Sequence, residues 1–247
     1  VNGPSILAKV VETYANLTSY SDSGSAESSS SPGLPLEFRT DFKRPLFFRF
    51  HWLSWHPYHG KCKPASETTI WSDGEKFISK FQGQFESAER FSGLVAEATG
   101  VSQGAVHIIL NVLAPGSLGL HHPWHEMTGA RVLDDDADSY HLIGSSRAVD
   151  DTELWVAKDS FLLHRLKETN VVTEEQCEEM RAYAQSEEQV EIMVAALKKQ
   201  GISDEMISET ISGLSESFEP RTYVLDYKFN SIKVNQTLDD SLFRPST

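Results

Sequence analysis

The stretch LEFRTDFKRPLFFRFHWL, residues 36–53, decides the fold class. In its first half Leu36, Phe38, Thr40 and Phe42 fall on one side of an extended chain, and Glu37, Arg39 and Asp41 on the other. A period of two with large apolar residues on one side is the pattern of a half-buried strand. Pro45 breaks the run, after which Phe48, Phe50 and Trp52 alternate with Arg49, His51 and Leu53 in a second strand. Strands that pair an aromatic face with a charged one belong to an antiparallel sheet that is dry on one side and wet on the other.

On the N-terminal side, Ile6, Leu7, Val10, Val11, Tyr14 and Leu17 recur at helical spacing and predict a helix over 5–17. A polar strand follows at Tyr20–Glu27, then a Ser/Pro/Gly turn at Ser28–Gly33. On the C-terminal side, His56–Pro64 reads as a loop. Thr68–Trp71 and Lys76–Phe81 flank Ser72-Asp73-Gly74-Glu75, and an Asp-Gly pair between two such runs signals a hairpin. Ser87–Thr99, with Phe91, Leu94, Val95 and Ala98 on one face, and Ala105–Leu113 predict two helices, followed by a Gly/Pro/His-rich loop over 114–128. Strands resume at Tyr140–Gly144, Glu153–Ala157, Phe161–Lys167, Thr222–Phe229 and Ser231–Val234. Strands, then helices, then strands, with no regular βαβ alternation, give an α+β fold on an antiparallel sheet.

Residues 173–219 depart from this pattern. Thr173 with Gln176 fits a capping box, and Met180, Tyr183, Val190, Met193, Val194 and Leu197 form a helical stripe. Gly201 suits a helix end, and Ser203 with Asp204 and Glu205 suits the start of the next, so the segment reads as an acidic helical hairpin. It holds 12 acidic and 3 basic residues. The expected organisation is one domain over 1–247, with this hairpin inserted at about 173–219.

Composition narrows the function. The 247 residues are 39% hydrophobic and 23% charged, which suits a globular chain rather than a disordered one. A net charge of −14 argues against a nucleic-acid partner, since such proteins present basic surfaces. No apolar run is long enough for a transmembrane helix. There is no Gly-x-Ser-x-Gly elbow, cysteine–histidine protease signature or Gly-rich phosphate loop, so no catalytic residue and no cofactor is expected. Cys62 and Cys177 are the only cysteines and read as two free thiols or one bridge.

Several segments together resemble the bacterial lipoprotein-carrier superfamily, the LolA/LolB-like proteins. They are ILAKVVETYANLTSYSDSGSAE at the start, FRTDFKRPLFFRF with its Arg-Pro corner, TTIWSDGEKFIS, SYHLIGS, TELWVAKDSFLLHRLKE and the ending IKVNQTLDDSLFRP, in that order. The nearest members are predicted periplasmic proteins and lipoproteins of unknown function. The resemblance implies a curved antiparallel half-barrel with helices in its mouth, holding acyl chains between sheet and helices. It implies a periplasmic or extracytoplasmic location, with a signal sequence removed from the chain that begins at Val1. A lipid or a lipidated protein is then the expected partner, or an envelope protein in a related regulatory subgroup.

Three readings stay open. In the first, Phe38, Phe48, Phe50, Trp52, Trp71 and Trp155 line an apolar ligand groove; ordinary core packing explains the same residues. In the second, the groove is filled by the protein's own side chains, and the chain is an envelope sensor or scaffold. In the third, His51, His56, His59 and Cys62, or His121, His122, His125 and Glu126, bind a metal. Strand parity places His51 and His56 on opposite faces, and solvated loop histidines are the alternative. The acidic run Asp134, Asp135, Asp136 and Asp138 reads as a solvated turn. An open groove would favour the first reading, a filled one with an exposed apolar patch the second, and convergent histidines the third.

Overall fold

The computed structural model describes residues 2–31, 33–58, 61–81, 83–118, 124–146, 149–199, 202–216 and 218–245, with the side chains of 55–58, 61–66, 135, 199 and 214–216 outside that description. The chain divides into two compact units, Val1–Thr169 with Val224–Thr247, and Asn170–Tyr223.

The first unit is built on an antiparallel, curved and unclosed sheet of eleven strands. In chain order these are β1 (Ser19–Ser28), β2 (Leu36–Lys43), β3 (Phe47–Tyr58), β4 (Lys61–Asp73), β5 (Phe77–Phe81), β6 (Gln84–Ala88), β7 (Thr128–Asp135), β8 (Ser139–Ser145), β9 (Asp151–Ala157), β10 (Leu163–Val172) and β11 (Arg221–Val234). The spatial order β6-β5-β4-β3-β2-β1-β11-β10-β9-β8-β7 joins the two meanders through β1 and β11. The expected α+β half-barrel is therefore the architecture observed.

Helices α1 (Gly3–Asn16), α2 (Phe91–Val101), α3 (Ala105–Ile108) and α4 (Leu110–Leu113) supply the apolar layer against one sheet face. Asn2 caps α1 through Ser5 N–H at 2.9 Å. At its other end the Arg44 guanidinium donates to the carbonyls of Leu17 and Tyr14, at 2.7 and 3.0 Å. The Tyr14 carbonyl also accepts the Leu17 N–H, and a cation on the carbonyls at this end suits the negative pole of the helix. Ile6, Val10 and Tyr14 are fully buried, and the Tyr14 hydroxyl accepts the Leu163 N–H at 3.2 Å.

The structure corrects several boundaries. The expected loop at His56–Pro64 is mostly strand, because β3 and β4 continue pairing from Trp55↔Pro64 to Tyr58↔Lys61. Ser87 and Ala88, expected in a helix, end β6. β7 was not expected at all: both β6 and β7 are sheet edges with mostly exposed residues, so neither carries an apolar alternation. The helix over Ala105–Leu113 is the two short pieces α3 and α4. The final two strands are one, β11, bulged opposite Ser21–Ser23, with Ser231 at φ 51°.

Close approach explains one glycine. A Cβ on Gly24 would stand 2.4 Å from the Phe38 ring and 2.4 Å from the Lys228 carbonyl oxygen. Gly24→Ala is therefore expected to destabilise by about 1–3 kcal/mol through overpacking. Gly93→Ala in α2, where a Cβ meets nothing, should instead stabilise by about 0.5–1 kcal/mol. Urea midpoints of the two variants moving the same way would contradict this account.

The second unit holds three helices where two were expected: α5 (Glu174–Ala184), α6 (Glu187–Lys199) and α7 (Asp204–Glu216). The capping box is present, with Thr173 and Gln176 bonding each other's backbone N–H. The periodic stripe across 180–197 is split at Gln185–Ser186, so it lies on two helices rather than one. Cys177 and Ile207 are buried, and Cys177 is a free thiol.

Candidate functional site

The pleat assigns each candidate aromatic to a face. Phe38↔Trp52, Thr40↔Phe50 and Phe42↔Phe48 are directly paired across β2 and β3, so these side chains share the inner face. Phe48 and Phe50 are 0% exposed, Trp52 1% and Phe38 4%. Phe50 contacts Phe38, Phe48 and Trp52 at centroid distances of 5.6, 6.5 and 5.5 Å. The array continues to Phe229 on β11, Phe81 on β5 and Phe91 on α2. Four of the six candidates thus come together, and the protein's own rings and helices pack them.

Trp71 and Trp155 do not join them. Trp71 pairs with Arg49, which puts it on the opposite face from Phe50 and Ile70, where Phe85 covers it at 6.3 Å. Trp155 alternates with the buried Leu154 and Val156. It is sandwiched between the His141 ring at 4.2 Å and the Arg165 guanidinium at 4.4 Å. Both were grouped with the inner aromatics by residue type, whereas strand parity decides the side.

That outer face is held by charge. Arg39 and Arg49 both reach the fully buried Asp41, which also accepts the Ser21 hydroxyl. Arg165 forms a two-pronged pair with Asp226, at 2.8 Å on each arm. Glu153 takes Lys167 at 2.7 Å and His141 at 2.8 Å. Burial alone would raise the Glu153 pKa, but these two partners outweigh it and hold the carboxyl below its usual range.

Three polar groups on or against the inner face were not singled out by the sequence. Asp22 is buried; its Oδ2 accepts the Tyr20 hydroxyl at 2.8 Å and its Oδ1 the Thr40 N–H at 3.0 Å. Burial pushes its carboxyl up to about 7. Burial likewise raises Glu168 to about 7 and lowers His107 to about 4. No motif marks Asp22: it sits in a run of serines whose pattern is polar on both faces.

The histidines give no site among the described residues, where no three His, Cys, Asp or Glu side chains converge. His51 bonds Thr69 at 2.9 Å, and His125 packs edge-on against Trp124. The side chains of His56, His59 and Cys62, and residues His121 and His122, lie outside the described set. The acidic run is not wholly a turn as expected: Asp134 and Asp135 close the edge strand β7, paired with His141 and Tyr140, and the Asp135 side chain is outside the description.

The second unit contains a cavity of about 420 Å³ lined by Met180, Tyr183 and Ala184 of α5, Met193 of α6, and Phe218, with Glu179 and Gln189 as its polar residues. Met180 is 43% exposed and Tyr183 65%. Met180, Tyr183 and Met193 were legible as a stripe, but the break at Gln185–Ser186 that folds the stripe into a cleft was not.

Fold and inner face together define an α+β half-barrel, with helices in its mouth and an aromatic-lined sheet. Among solved structures the chain is similar to MucB in complex with MucA(peri), at 9% identity over 99% of this chain and 60% of that one, with a TM-score of 0.38. It is similar to a LolA superfamily protein from Nitrosomonas europaea, at 12% identity over 99% of this chain and 98% of that one, with a TM-score of 0.33. A DUF1329 family protein from Desulfovibrio piger matches at 9% identity over 98% and 95%, with a TM-score of 0.36. At such identities and TM-scores these likenesses carry nothing about ligand, partner or function. No family profile and no curated protein matches the chain.

Proposed function

We propose that this chain is a non-enzymatic binding protein of the bacterial cell envelope, acting outside the cytoplasm as a protein-interaction module. Its half-barrel is one domain, the scaffold, and the helical segment inserted at about 173–219 is the element it presents. The observation that carries this reading is the packing of the inner face. Phe38, Phe48, Phe50 and Trp52, the residues an acyl chain would need, are at most 4% exposed and already covered by Phe91, Phe81 and Phe229. Exposed large apolar side chains lie instead at Phe85, Val101, Leu133 and Val171 and, on the insert, at Met180, Tyr183, Ile192 and Met206; on the insert, Met180 and Tyr183 share one cleft. Large apolar groups left in water mark interaction surfaces when they cluster.

The test sets this reading against an apolar ligand. Native mass spectrometry of the protein purified from its own source should show no bound lipid. A fluorescent fatty acid titrated into delipidated protein should show no saturable binding. A photocrosslinking residue at position 183 should give one discrete protein adduct in intact cells, whereas one at position 155 should not. Saturable fatty-acid binding that weakens in Trp52→Ala would return the carrier reading, with a lipid or lipidated protein held on the inner face.

A further inference from the structure

We propose that the cleft between α5 and α6 docks a basic amphipathic helix of a partner protein, with the helix's apolar side chains seated on Met180, Tyr183 and Met193. The proposal rests on the protein-interaction reading above and names its partner's chemistry. Size comes first: about 420 Å³ falls within the roughly 300–1,000 Å³ of clefts that hold ligands or anchoring side chains. Lining comes second. Met180, Tyr183, Ala184, Met193 and Phe218 make the floor apolar. Two methionines and a tyrosine give a surface that can reshape around an apolar anchor, which is how helix-binding grooves accept their targets.

Charge selects the occupant. Residues 173–219 carry 12 acidic and 3 basic residues. Two of the three cations are committed within the unit: Arg181 pairs with Glu174 and donates to the Phe218 carbonyl, and Lys198 pairs with Asp204. Glu178, Glu179, Glu187, Glu188 and Glu191 are exposed, and among the described residues no ion pair engages them. An apolar floor with Glu179 in its lining, on a strongly acidic segment, repels fatty acids and anionic lipid, whose heads are also negative. It attracts a helix with apolar residues on one side and Lys or Arg on the other. Because the cleft is lined by residues of two helices, α5 and α6, joined through Gln185 and Ser186, it suits a third helix packed along it.

The experiment uses the full chain and a leucine/lysine peptide about five turns long, patterned to form an amphipathic helix. The comparison peptide has the same composition, scrambled so that no apolar face forms. Binding is read by fluorescence anisotropy at low and at physiological salt. The patterned peptide should bind at one saturable site. Met180→Ala with Tyr183→Ala, which leaves the charge unchanged, should weaken it by about tenfold or more. Met206→Ala, in α7 and equally apolar but not among the cleft residues, should leave it unchanged. Glu179→Gln should weaken binding several-fold at low salt and less at physiological salt. Both cleft positions are exposed, so circular dichroism should show the variants folded. Equal binding of the scrambled peptide, or no effect of the cleft pair, would overturn the cleft. A discrete adduct at position 183 in cells would still leave the broader reading standing, whereas fatty-acid binding on the inner face would remove that reading.

Discussion

Phe50→Ala is expected to lower the unfolding free energy by about 3–5 kcal/mol, the usual cost of deleting a fully buried ring. Phe50 is 0% exposed and lies at the centre of a chain of rings, with Phe48 and Phe38 on two sides and Trp52 on the third. Phe48 and Trp52 are fixed on β3 itself and Phe38 on the paired strand β2, so they cannot all move inward to fill the space. Trp155→Ala removes a larger ring but should cost far less, about 1 kcal/mol. That ring is partly exposed and stacked on His141 and Arg165, which can turn towards water. Urea denaturation at neutral pH measures both. A cost below about 1.5 kcal/mol for Phe50→Ala would mean that the ring lines open space rather than core, and would favour an apolar ligand on that face.

The contrast between Phe50 and Trp155 also shows what the sequence could carry. Phe38, Phe48, Phe50 and Trp52 sit in strands whose alternation is complete, and period two is enough to place them on one face. Trp155 alternates equally cleanly with Leu154 and Val156, so its outer position was readable from parity and was lost by sorting residues by type. Trp71 is harder, since Ile70 beside it is equally apolar and only the pairing Arg49↔Trp71 fixes its side. β6 and β7 were illegible for a different reason. Edge strands bury little, so hydrophobic patterning is not imposed on them, and hydrogen bonding to β5 and β8 alone defines them. The insert was legible in composition and capping, because Thr173 and Gln176 act within one turn. Its cleft depends on where α5 stops, and neither Gln185 nor Ser186 is a strong breaker. Asp22 was silent because its burial is imposed by Tyr20, Tyr14 and Thr40, two of them on other elements.

Asp22 supplies the other large effect. Its carboxyl titrates near 7 in the folded protein, against 3.8 for an unperturbed group, because burial penalises the charged form more than the Tyr20 and Thr40 hydrogen bonds favour it. Between these values the native state binds the proton more tightly than the unfolded chain does. The contribution of Asp22 to stability is therefore greatest at low pH and falls as pH rises from about 4 to about 7, by up to roughly 4 kcal/mol at about 1.4 kcal/mol per unit. Glu168 has the same sign, being also raised to about 7. His107 has the opposite sign: lowered to about 4, it is neutral in the fold where the unfolded chain would be charged, so its contribution grows as pH rises through that window. The native curve is a sum of these, and the difference between native and Asp22→Asn isolates one of them. Asparagine has the same shape, accepts from Thr40 N–H through its carbonyl oxygen, and donates to the Tyr20 hydroxyl oxygen through its amide. Asp22→Asn should thus match the native protein near pH 4 and exceed it by about 2–4 kcal/mol at pH 8. Thermal melts across that range give the difference curve directly. A difference that stays flat from pH 4 to 8 would mean that Asp22 carries its charge in the fold without penalty, and that the Tyr20 and Thr40 hydrogen bonds offset its burial in full.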